Sequence, residues 1–401
     1  MGAVSPDDEA LRANLARHVE VLAREIGPRG STTPAEKRAA GYIEEFLSGV
    51  GFDVRREEFY SLRTFSWIHA GAYLSSSLSI LLLLRFWPAL AATVASLSLV
   101  GFFLETLSVP ALGWMASKGM SQNVIARTGK AGEPAGAKVC LVAHYDSSRA
   151  GLPFHPKMVR NFRTTSFLVL FCMALSAALS ISAAVAPAFR NAALAVGIIP
   201  GVYTAFAASL LIHRELAYPY VPGANDNASG VAVLLESARA LALKKVPGVE
   251  VTFLATGCEE AGVVGMLDFL KRHGKEYRDA YFINLDNLGA GDLKYTTGEG
   301  MYTVMKSDPI LVELAQRAVN RDPSIKAGPS IYRTLLTDGQ AAMLRGHKVM
   351  GIMAFMPDGT LPNWHWLTDV PENVQIENLV GATKLVLSVV EALPSRIADA
   401  L

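Results

Sequence analysis

The stretch Gly-Ala-Asn-Asp-Asn-Ala-Ser-Gly, residues Gly223–Gly230, opens a predicted helix over Ser229–Leu243. A single carboxylate, Asp226, lies between two asparagines, and the small residues on both sides let the backbone approach closely whatever that carboxylate holds. For this stretch alone, two interpretations are open. Asp and Asn are common helix caps, so Asp226 could bind backbone N–H groups, or its carboxylate could be a ligand. The residues predicted to surround the stretch distinguish these interpretations.

Apolar segments that are typical of strands alternate with helical segments along much of the chain. The predicted helices are Asp7–Ile26, Pro34–Leu47, Ser229–Leu243, Val263–His273, Pro309–Val319 and Asn373–Leu393. The predicted strands are Phe52–Phe59, Asn123–Arg127, Lys138–Ala143, Val249–Ala255, Tyr281–Leu285 and Lys348–Ala354. This alternation predicts an α/β fold: a mostly parallel mixed sheet with helices on both faces.

Acidic and histidine side chains follow these strands at their carboxyl ends, which is the edge where such sheets bind ligands. They are His144, Asp146, Glu259, Glu260 and Asp286, and His365 follows the last strand in a loop. Carboxylate and imidazole suit zinc, and the absence of cysteine ligands argues against a purely structural site. Even five ligands from this set would exceed what one tetrahedral ion with an open position can use. Two metals that share a bridging carboxylate can use all five, which favours the ligand interpretation of Asp226.

Five motifs together resemble the M28 family of zinc aminopeptidases in their order and internal spacing. They are His144-x-Asp146, Gly223–Gly230, Glu259-Glu260, Asn284-Leu-Asp286 and His365-x-x-Thr-Asp369. The resemblance covers Leu11–Arg63, Asn123–Ser147 and Gly223–Leu393. It implies a zinc aminopeptidase-like fold and a metallo-exopeptidase, a hydrolase that cleaves N-terminal peptide bonds of peptide or amino-acyl substrates.

The resemblance also implies a role for each matching residue. His144 and Asp286 bind one zinc ion, Glu260 and His365 bind a second, and Asp226 bridges them, which gives two zinc ions per chain. Asp146 accepts a hydrogen bond from the His144 ring and so fixes its tautomer. Glu259 is the general base that takes a proton from the dizinc-activated water and passes it to the leaving amine.

Two positions depart from the pattern of the family. Many members carry Tyr just before the last His, whereas this chain has Trp364, whose indole can only donate an N–H. A later motif that usually reads Ser-Asp-His is here Thr337-Asp338-Gly339-Gln340. Trp364 and Asp338 are therefore the candidate substrate-binding residues, and these departures bear on substrate preference more than on metal binding.

Four apolar stretches without formal charge are each long enough to cross a membrane, since a span needs about 20 apolar residues. They are Thr64–Leu84, Phe86–Leu104, Thr164–Phe189 and Asn191–Ile212. Tight turns join them in two pairs, which predicts two transmembrane helical hairpins inserted into the α/β domain. The catalytic domain is predicted to consist of residues 1–63, 118–163 and 214–401. The two hairpins are predicted to lie between these parts, in residues 64–117 and 164–213.

Three features predict that the catalytic domain of this integral membrane protein faces the cytoplasm. Met1–Ala10 is polar and acidic, which predicts no signal peptide. Cys140, Cys172 and Cys258 form no disulfide or zinc pattern, which fits a reducing compartment. Basic residues favour the cytoplasmic ends of spans. Those predicted on the catalytic side are Arg55, Arg56, Arg63, Lys118, Lys157, Arg160, Arg163 and Arg214, against Arg85 and Arg190 in the far-side turns.

The net charge of +1 gives no argument for a nucleic-acid partner, and no feature of the sequence indicates an oligomeric state. The lipid bilayer and a peptide or amino-acyl substrate are the partners expected. Two alternative functions remain open. One is a single-zinc acyltransferase resembling glutaminyl cyclases, which share the fold and much of the ligand set. The other is a catalytically inactive membrane scaffold.

Overall fold

The computed structural model describes residues 6–113, 116–129 and 136–398. The prediction of no signal peptide rests on Met1–Ala10, and the first five of these residues lie outside the described residues. The chain divides into two compact units. Unit 1 comprises Met1–Arg63, Lys118–Ser148 and Tyr220–Leu401, and unit 2 comprises Thr64–Ser117 and Arg149–Pro219. Unit 2 therefore includes more of the chain around the second hairpin than the predicted boundaries at residues 164 and 213.

Unit 1 contains the alternating helices and strands. Its helices are α1 Pro6–Glu20, α2 Pro34–Gly49, α7 Ser229–Leu243, α8 Val264–His273, α9 Pro309–Arg321, α10 Asp338–Met343 and α11 Ile376–Ala398. Its strands are β1 Asp53–Leu62, β2 Lys118–Arg127, β3 Ala137–His144, β4 Val249–Thr256, β5 Tyr281–Leu285, β6 Asp292–Glu299, β7 Met305–Lys306, β8 Gly328–Tyr332 and β9 Lys348–Phe355. The chain continues from α1 as a π-helical turn, Val21–Ile26.

The strands of unit 1 form one mixed sheet. Its order is β1-β2-β4-β3-β5-β9-β6-β7, and β8 pairs with β6. The central strands β4, β3, β5 and β9 are mutually parallel, whereas β1, β2 and β6 pair antiparallel with their neighbours on that path. The predicted α/β fold class, a mostly parallel mixed sheet with helices on both faces, is confirmed. The parallel strands bring their carboxyl ends to one edge of the sheet.

In strand β3 the stretch Val139–Ala143 is apolar throughout. Val139 and Leu141 face the larger core, which α1, α2, α7, α9 and α11 cover. Cys140 and Val142 face the opposite core, which α8 and α10 cover. Because successive strand residues point to opposite faces, a strand covered on both sides is apolar at every position.

Unit 2 contains four long helices: α3 Ser66–Leu84, α4 Pro88–Thr106, α5 Phe162–Val185 and α6 Arg190–Ala217. All four are long enough and apolar enough to cross a membrane. Their buried positions are mostly small residues, among them Ser76, Ala95, Ala177 and Gly197. Large apolar side chains face outward instead, including Leu81, Leu97, Phe171, Ile199 and Phe206. Small residues let helices pack closely, and an apolar exterior suits a lipid environment.

Candidate metal centre

The five predicted ligands lie together at the carboxyl edge of the parallel strands. His144 is the last residue of β3, Glu260 follows β4, and Asp286 follows β5. Asp226 lies in the loop before α7, and His365 lies in the loop after β9. All five side chains are at most 9% exposed. Parallel pairing of β4, β3, β5 and β9 explains why residues so distant in sequence meet here.

These ligands form two groups that share Asp226. In the first group, His144 Nε2 lies 3.1 Å from Asp226 Oδ1 and 3.6 Å from Asp286 Oδ1. In the second, His365 Nε2 lies 3.0 Å from Asp226 Oδ2 and 3.1 Å from Glu260 Oε1. Within each group the candidate ligand atoms all lie within 4.8 Å of one another. Each oxygen of Asp226 therefore belongs to a different group, which is the arrangement of a bridging carboxylate.

The charges of this site favour a bound cation. Burial lowers the pKa of His365, but Glu260 and Asp226 outweigh it and raise that pKa to about 9. The pKa of His144 shifts in the same direction. Burial lowers this pKa, but four carboxylates raise it well above the ordinary value: those of Glu259, Asp146, Asp226 and Asp286. A field strong enough to hold protons on two buried imidazoles is also suited to a metal ion. Imidazole nitrogens with carboxylate oxygens form a donor set that fits zinc.

Asp226 does not cap helix α7. The backbone N–H of Gly230 donates instead to Asn227 Oδ1 at 3.0 Å, and the Asn227 amide donates to the carbonyl oxygen of Leu285 at 2.8 Å. A Cβ atom on Gly230 would lie 2.4 Å from both Asn227 Oδ1 and the Leu285 carbonyl oxygen, so the close approach requires glycine. The neighbouring asparagine thus takes the capping role and leaves the Asp226 carboxylate for the ligand groups.

The loop that carries Asp226 is held by a residue whose role the sequence did not reveal. The buried carboxylate of Asp369 accepts the backbone N–H of Asn225 at 2.6 Å and that of Asp226 at 3.2 Å. Burial, reinforced by the charge of Asp226, raises the pKa of Asp369 to about 7. Its place in the motif His365-x-x-Thr-Asp369 was the one available signal, but nothing in the spacing identified its backbone partners.

The two adjacent glutamates after β4 have different surroundings. Glu260 is buried among the ligands, whereas Glu259 remains partly exposed. The low-polarity surroundings of Glu259, together with the charges of Glu260, Asp338 and Asp286, raise its pKa well above the ordinary value, although His144 opposes the shift. A carboxylate with a raised pKa beside a metal site is suited to proton transfer.

Asp146 makes backbone contacts in addition to its predicted approach to the His144 ring. Its Oδ1 lies 3.4 Å from His144 Nδ1, and no closer hydrogen-bond partner of that nitrogen is found among the described residues. Its two oxygens also accept the backbone N–H groups of Glu259 at 3.1 Å and Glu260 at 3.2 Å. Ser31 donates its hydroxyl to the same carboxylate at 2.7 Å. In this structure Asp146 therefore positions the glutamate turn more directly than it positions the His144 ring.

The two predicted substrate-binding residues are both buried. Trp364 is 4% exposed, and its ring centroid lies 4.6 Å from that of His365. Asp338 is 1% exposed and accepts the hydroxyl of Thr256, while burial raises its pKa to about 7. Trp364 thus packs against a candidate ligand, and Asp338 begins the short helix α10 with Thr337 as its N-cap. Substrate binding by Trp364 and Asp338 stays a prediction.

Comparison with known proteins agrees with these motifs. Residues 212–390 match the model of peptidase family M28. Aminopeptidase YwaD of Bacillus subtilis (strain 168) is 42% identical over 74 residues, a match that spans 18% of this chain and only 16% of that protein.

Solved structures show the same fold at low sequence identity. A zinc aminopeptidase from Bacillus subtilis has a TM-score of 0.57 at 17% identity, and the match covers 95% of each chain. Glutaminyl cyclase from Bacteroides thetaiotaomicron has a TM-score of 0.57 at 14% identity, and the match covers 97% of this chain and 99% of that one. At such identities the likeness supports the fold alone. The family match and the motifs together identify residues 212–390 as similar to peptidase family M28.

Proposed function

We propose that this protein is a membrane-anchored zinc aminopeptidase that removes N-terminal residues from peptides or amino-acyl compounds. The two ligand groups, His144 with Asp286 and Glu260 with His365, would hold two zinc ions, and Asp226 would belong to both groups. The observation that carries the proposal is the placement of the two Asp226 oxygens, one at 3.1 Å from His144 Nε2 and the other at 3.0 Å from His365 Nε2.

The chemistry divides between the metal and the protein. Zinc, when bound, would supply Lewis acidity for activating water and polarising the scissile carbonyl group. Glu259 accepts a proton from the attacking water and delivers it to the amine that leaves. Asp146 keeps Glu259 in place through the backbone N–H at 3.1 Å, while the neighbouring N–H at 3.2 Å keeps Glu260 among the ligands.

The membrane part of the proposal is supported by helices α3–α6, which are long and apolar enough to span a bilayer. Their small buried residues and large outward side chains suit packing within lipid. Helices α3 and α4 form one hairpin, and α5 and α6 form the other. We assign these hairpins an anchoring role.

A single-zinc glutaminyl cyclase-like acyltransferase is the second candidate, because solved glutaminyl cyclases have the same fold. The two activities differ in metal content and in product. An aminopeptidase releases the N-terminal residue by hydrolysis, whereas a cyclase closes N-terminal glutamine on itself and releases ammonia.

The test is elemental analysis of the detergent-purified, unchelated full chain, run beside a panel of amino-acyl and dipeptide substrates and a peptide with N-terminal glutamine. We expect about two zinc ions per chain and release of N-terminal residues. Asp226→Asn should lower both the metal content and the rate, whereas Asp292→Asn, which alters an exposed aspartate, should change neither. One tight metal ion per chain with cyclisation of the glutamine peptide would overturn the proposal in favour of the cyclase.

A further inference from the structure

The turn that carries Glu259 is held by an unusual set of contacts. Four consecutive backbone N–H groups, those of Gly257–Glu260, all donate to side-chain oxygens. In the order of the donors, the acceptors are Asn123 Oδ1 at 3.2 Å, Glu36 Oε1 at 3.1 Å, Asp146 Oδ1 at 3.1 Å and Asp146 Oδ2 at 3.2 Å. These acceptors come from β2, α2 and the end of β3, so three separate parts of unit 1 fix one short turn.

Glu36 is the most distant of these acceptors in sequence. It is 1% exposed, and its Oε1 also accepts the hydroxyl of Ser121 at 2.8 Å and the thiol of Cys258 at 3.2 Å. Its Oε2 accepts the backbone N–H of Thr32 at 2.7 Å, at the start of α2. One carboxylate therefore joins the beginning of α2 to the turn that carries Glu259.

The turn depends on this support because its backbone is strained. Cys258 has a φ of 54°, in the left-handed region that non-glycine residues seldom adopt. Such a conformation persists where the surrounding contacts determine it. A Cβ atom on the preceding Gly257 would lie 2.5 Å from Ser121 Oγ, so the turn packs closely on the side chain that Glu36 binds.

Arg29 makes similar contacts to the loop that carries Asp226. Its buried guanidinium donates to the carbonyl oxygens of Tyr145 at 2.8 Å, Pro222 at 2.6 Å and Gly223 at 2.9 Å. These contacts join the segment after His144 to the loop that carries Asp226. Arg29 and Glu36, seven positions apart on one segment, thus support the two loops from which the proposed base and the proposed bridging ligand project.

We propose that Glu36 is a positioning residue for Glu259, acting through the backbone of Cys258. The assignment rests on the proposed function, because it concerns the same proton transfer. Glu36 lies well before the region that matches the family model, residues 212–390. Loss of its oxygens leaves the Cys258 N–H and the Ser121 hydroxyl without their acceptor. The turn then relaxes, and Glu259 moves relative to the ligand groups while the ligands themselves remain.

The variant that tests this is Glu36→Met, which keeps the length of the side chain and removes both oxygens. A misplacement of about 1 Å can cost about 100-fold in rate, so we expect kcat to fall by about 10- to 100-fold. KM should stay within about twofold and metal content should stay unchanged, because Glu36 binds no ligand residue. Glu36→Gln retains one acceptor oxygen and should recover most of kcat.

Two controls separate positioning from loss of stability. Glu44→Met removes a carboxylate from the same helix, where Glu44 pairs with Arg56 outside the site. Asp308→Ala removes the N-cap of α9, far in sequence from the turn that carries Glu259. The Asp308 side chain accepts two backbone N–H groups at the start of that helix. Both should retain wild-type kcat at saturating substrate, even where the melting temperature falls as far as in Glu36→Met.

Hydrogen exchange provides a readout that does not depend on catalysis. In Glu36→Met, amide exchange in a peptide covering Gly257–Glu260 should accelerate, whereas Glu44→Met and Asp308→Ala should leave it unchanged. Unchanged exchange with unchanged kcat would overturn the positioning role. If the wild-type protein hydrolyses no substrate in the panel, the proposed function fails, and exchange alone then decides: accelerated exchange in Glu36→Met supports the contact and unchanged exchange refutes it.

Discussion

Single residues explain how the site can separate the proposed metal ligands from the proposed base. The Asp226 carboxylate is available to both ligand groups because the Asn227 side chain accepts the N–H at the start of α7 instead. The Asp369 carboxylate accepts the backbone N–H of Asp226 and so holds the loop. Glu259 and Glu260 are neighbours in sequence, yet Asp146 binds both of their N–H groups and lets the side chains differ in exposure. Neutral substitutions at the two glutamates should therefore have different effects.

Glu259→Gln should keep the bound metal and lose hydrolysis. General acid–base help alone contributes about 10²- to 10⁴-fold, so kcat should fall by at least that range. Glu260→Gln should instead weaken metal binding, because it removes a charged ligand atom from the second group. Metal titration and steady-state kinetics on both variants distinguish the roles. Near-wild-type turnover in Glu259→Gln would remove that residue from the mechanism.

His144, Glu260 and Asp286 could be predicted as candidate ligands from sequence because each lies at a recognisable strand end, and the structure groups them with Asp226 and His365. Arg29, Glu36 and Asp369 could not be assigned their contacts in the same way. Their principal partners include backbone atoms of segments distant in sequence, and no spacing rule connects a side chain to such atoms. The start of α2 follows a local rule instead, because Thr33 accepts the Glu36 N–H and Glu36 accepts that of Thr32, as in a helix capping box.

Elements were predictable where their pattern was periodic. Helix α7 and strand β5 have the predicted bounds, and β3 is apolar because both faces are covered. Strands β6, β7 and β8 and helix α10 were not predicted. Strand β8 contains Pro329 and pairs with β6 alone, so neither alternation nor β-propensity marks it. Short elements at a sheet edge depend on pairing that the local sequence does not show.

Within unit 2, the packing of α6 against α3 depends on glycine. A Cβ atom on Gly197 would lie 2.9 Å from Ile80 Cδ1, and one on Gly201 would lie 3.2 Å from Ile80 Cγ1. Gly197→Val should therefore overpack this contact and destabilise the helices by about 1–3 kcal/mol, the usual cost of overpacking. Thermal unfolding in detergent measures the effect.

The neighbouring Val196→Leu provides the matched control, because Val196 is exposed on the same helix and should tolerate the change. Combining Gly197→Val with Ile80→Ala should restore part of the lost stability, since the smaller side chain makes room for the new methyl groups. Equal destabilisation by Val196→Leu, or no recovery in the double variant, would show that the close approach of α3 and α6 does not limit stability.

The order of the two units along the chain restricts how the chain can cross a membrane. The two insertions that form unit 2 each contain two candidate spans, so each returns the chain to the side from which it left. Membrane insertion of all four helices, as proposed, predicts that every segment of unit 1 lies on one side of the membrane, as a single sheet built from all of them requires. The remaining question is which side, and the charges that flank the spans favour the cytoplasm.

The structure modifies the charge argument at one position. Arg214 is 2% exposed, and its guanidinium binds Glu215 at 3.0 Å and the Ser66 hydroxyl at 2.8 Å. It is therefore a paired, buried cation and adds little to the excess of basic residues on the catalytic side of the spans. Other catalytic-side basic residues such as Arg63 and Lys118 are exposed, so an excess over Arg85 and Arg190 remains.

We therefore predict that unit 1 faces the cytoplasm, and cysteine labelling of intact cells tests this. The native cysteines are buried, which keeps background labelling low. Lys245→Cys places a thiol on an exposed residue between α7 and β4, and Ala188→Cys places one in the exposed turn between α5 and α6. A membrane-impermeant maleimide should label Ala188→Cys in intact cells and should reach Lys245→Cys only after permeabilisation. Because the two sites lie on opposite sides of the predicted spans, the reverse pattern would place unit 1 outside the cell, and labelling of both in intact cells would contradict the spanning arrangement itself.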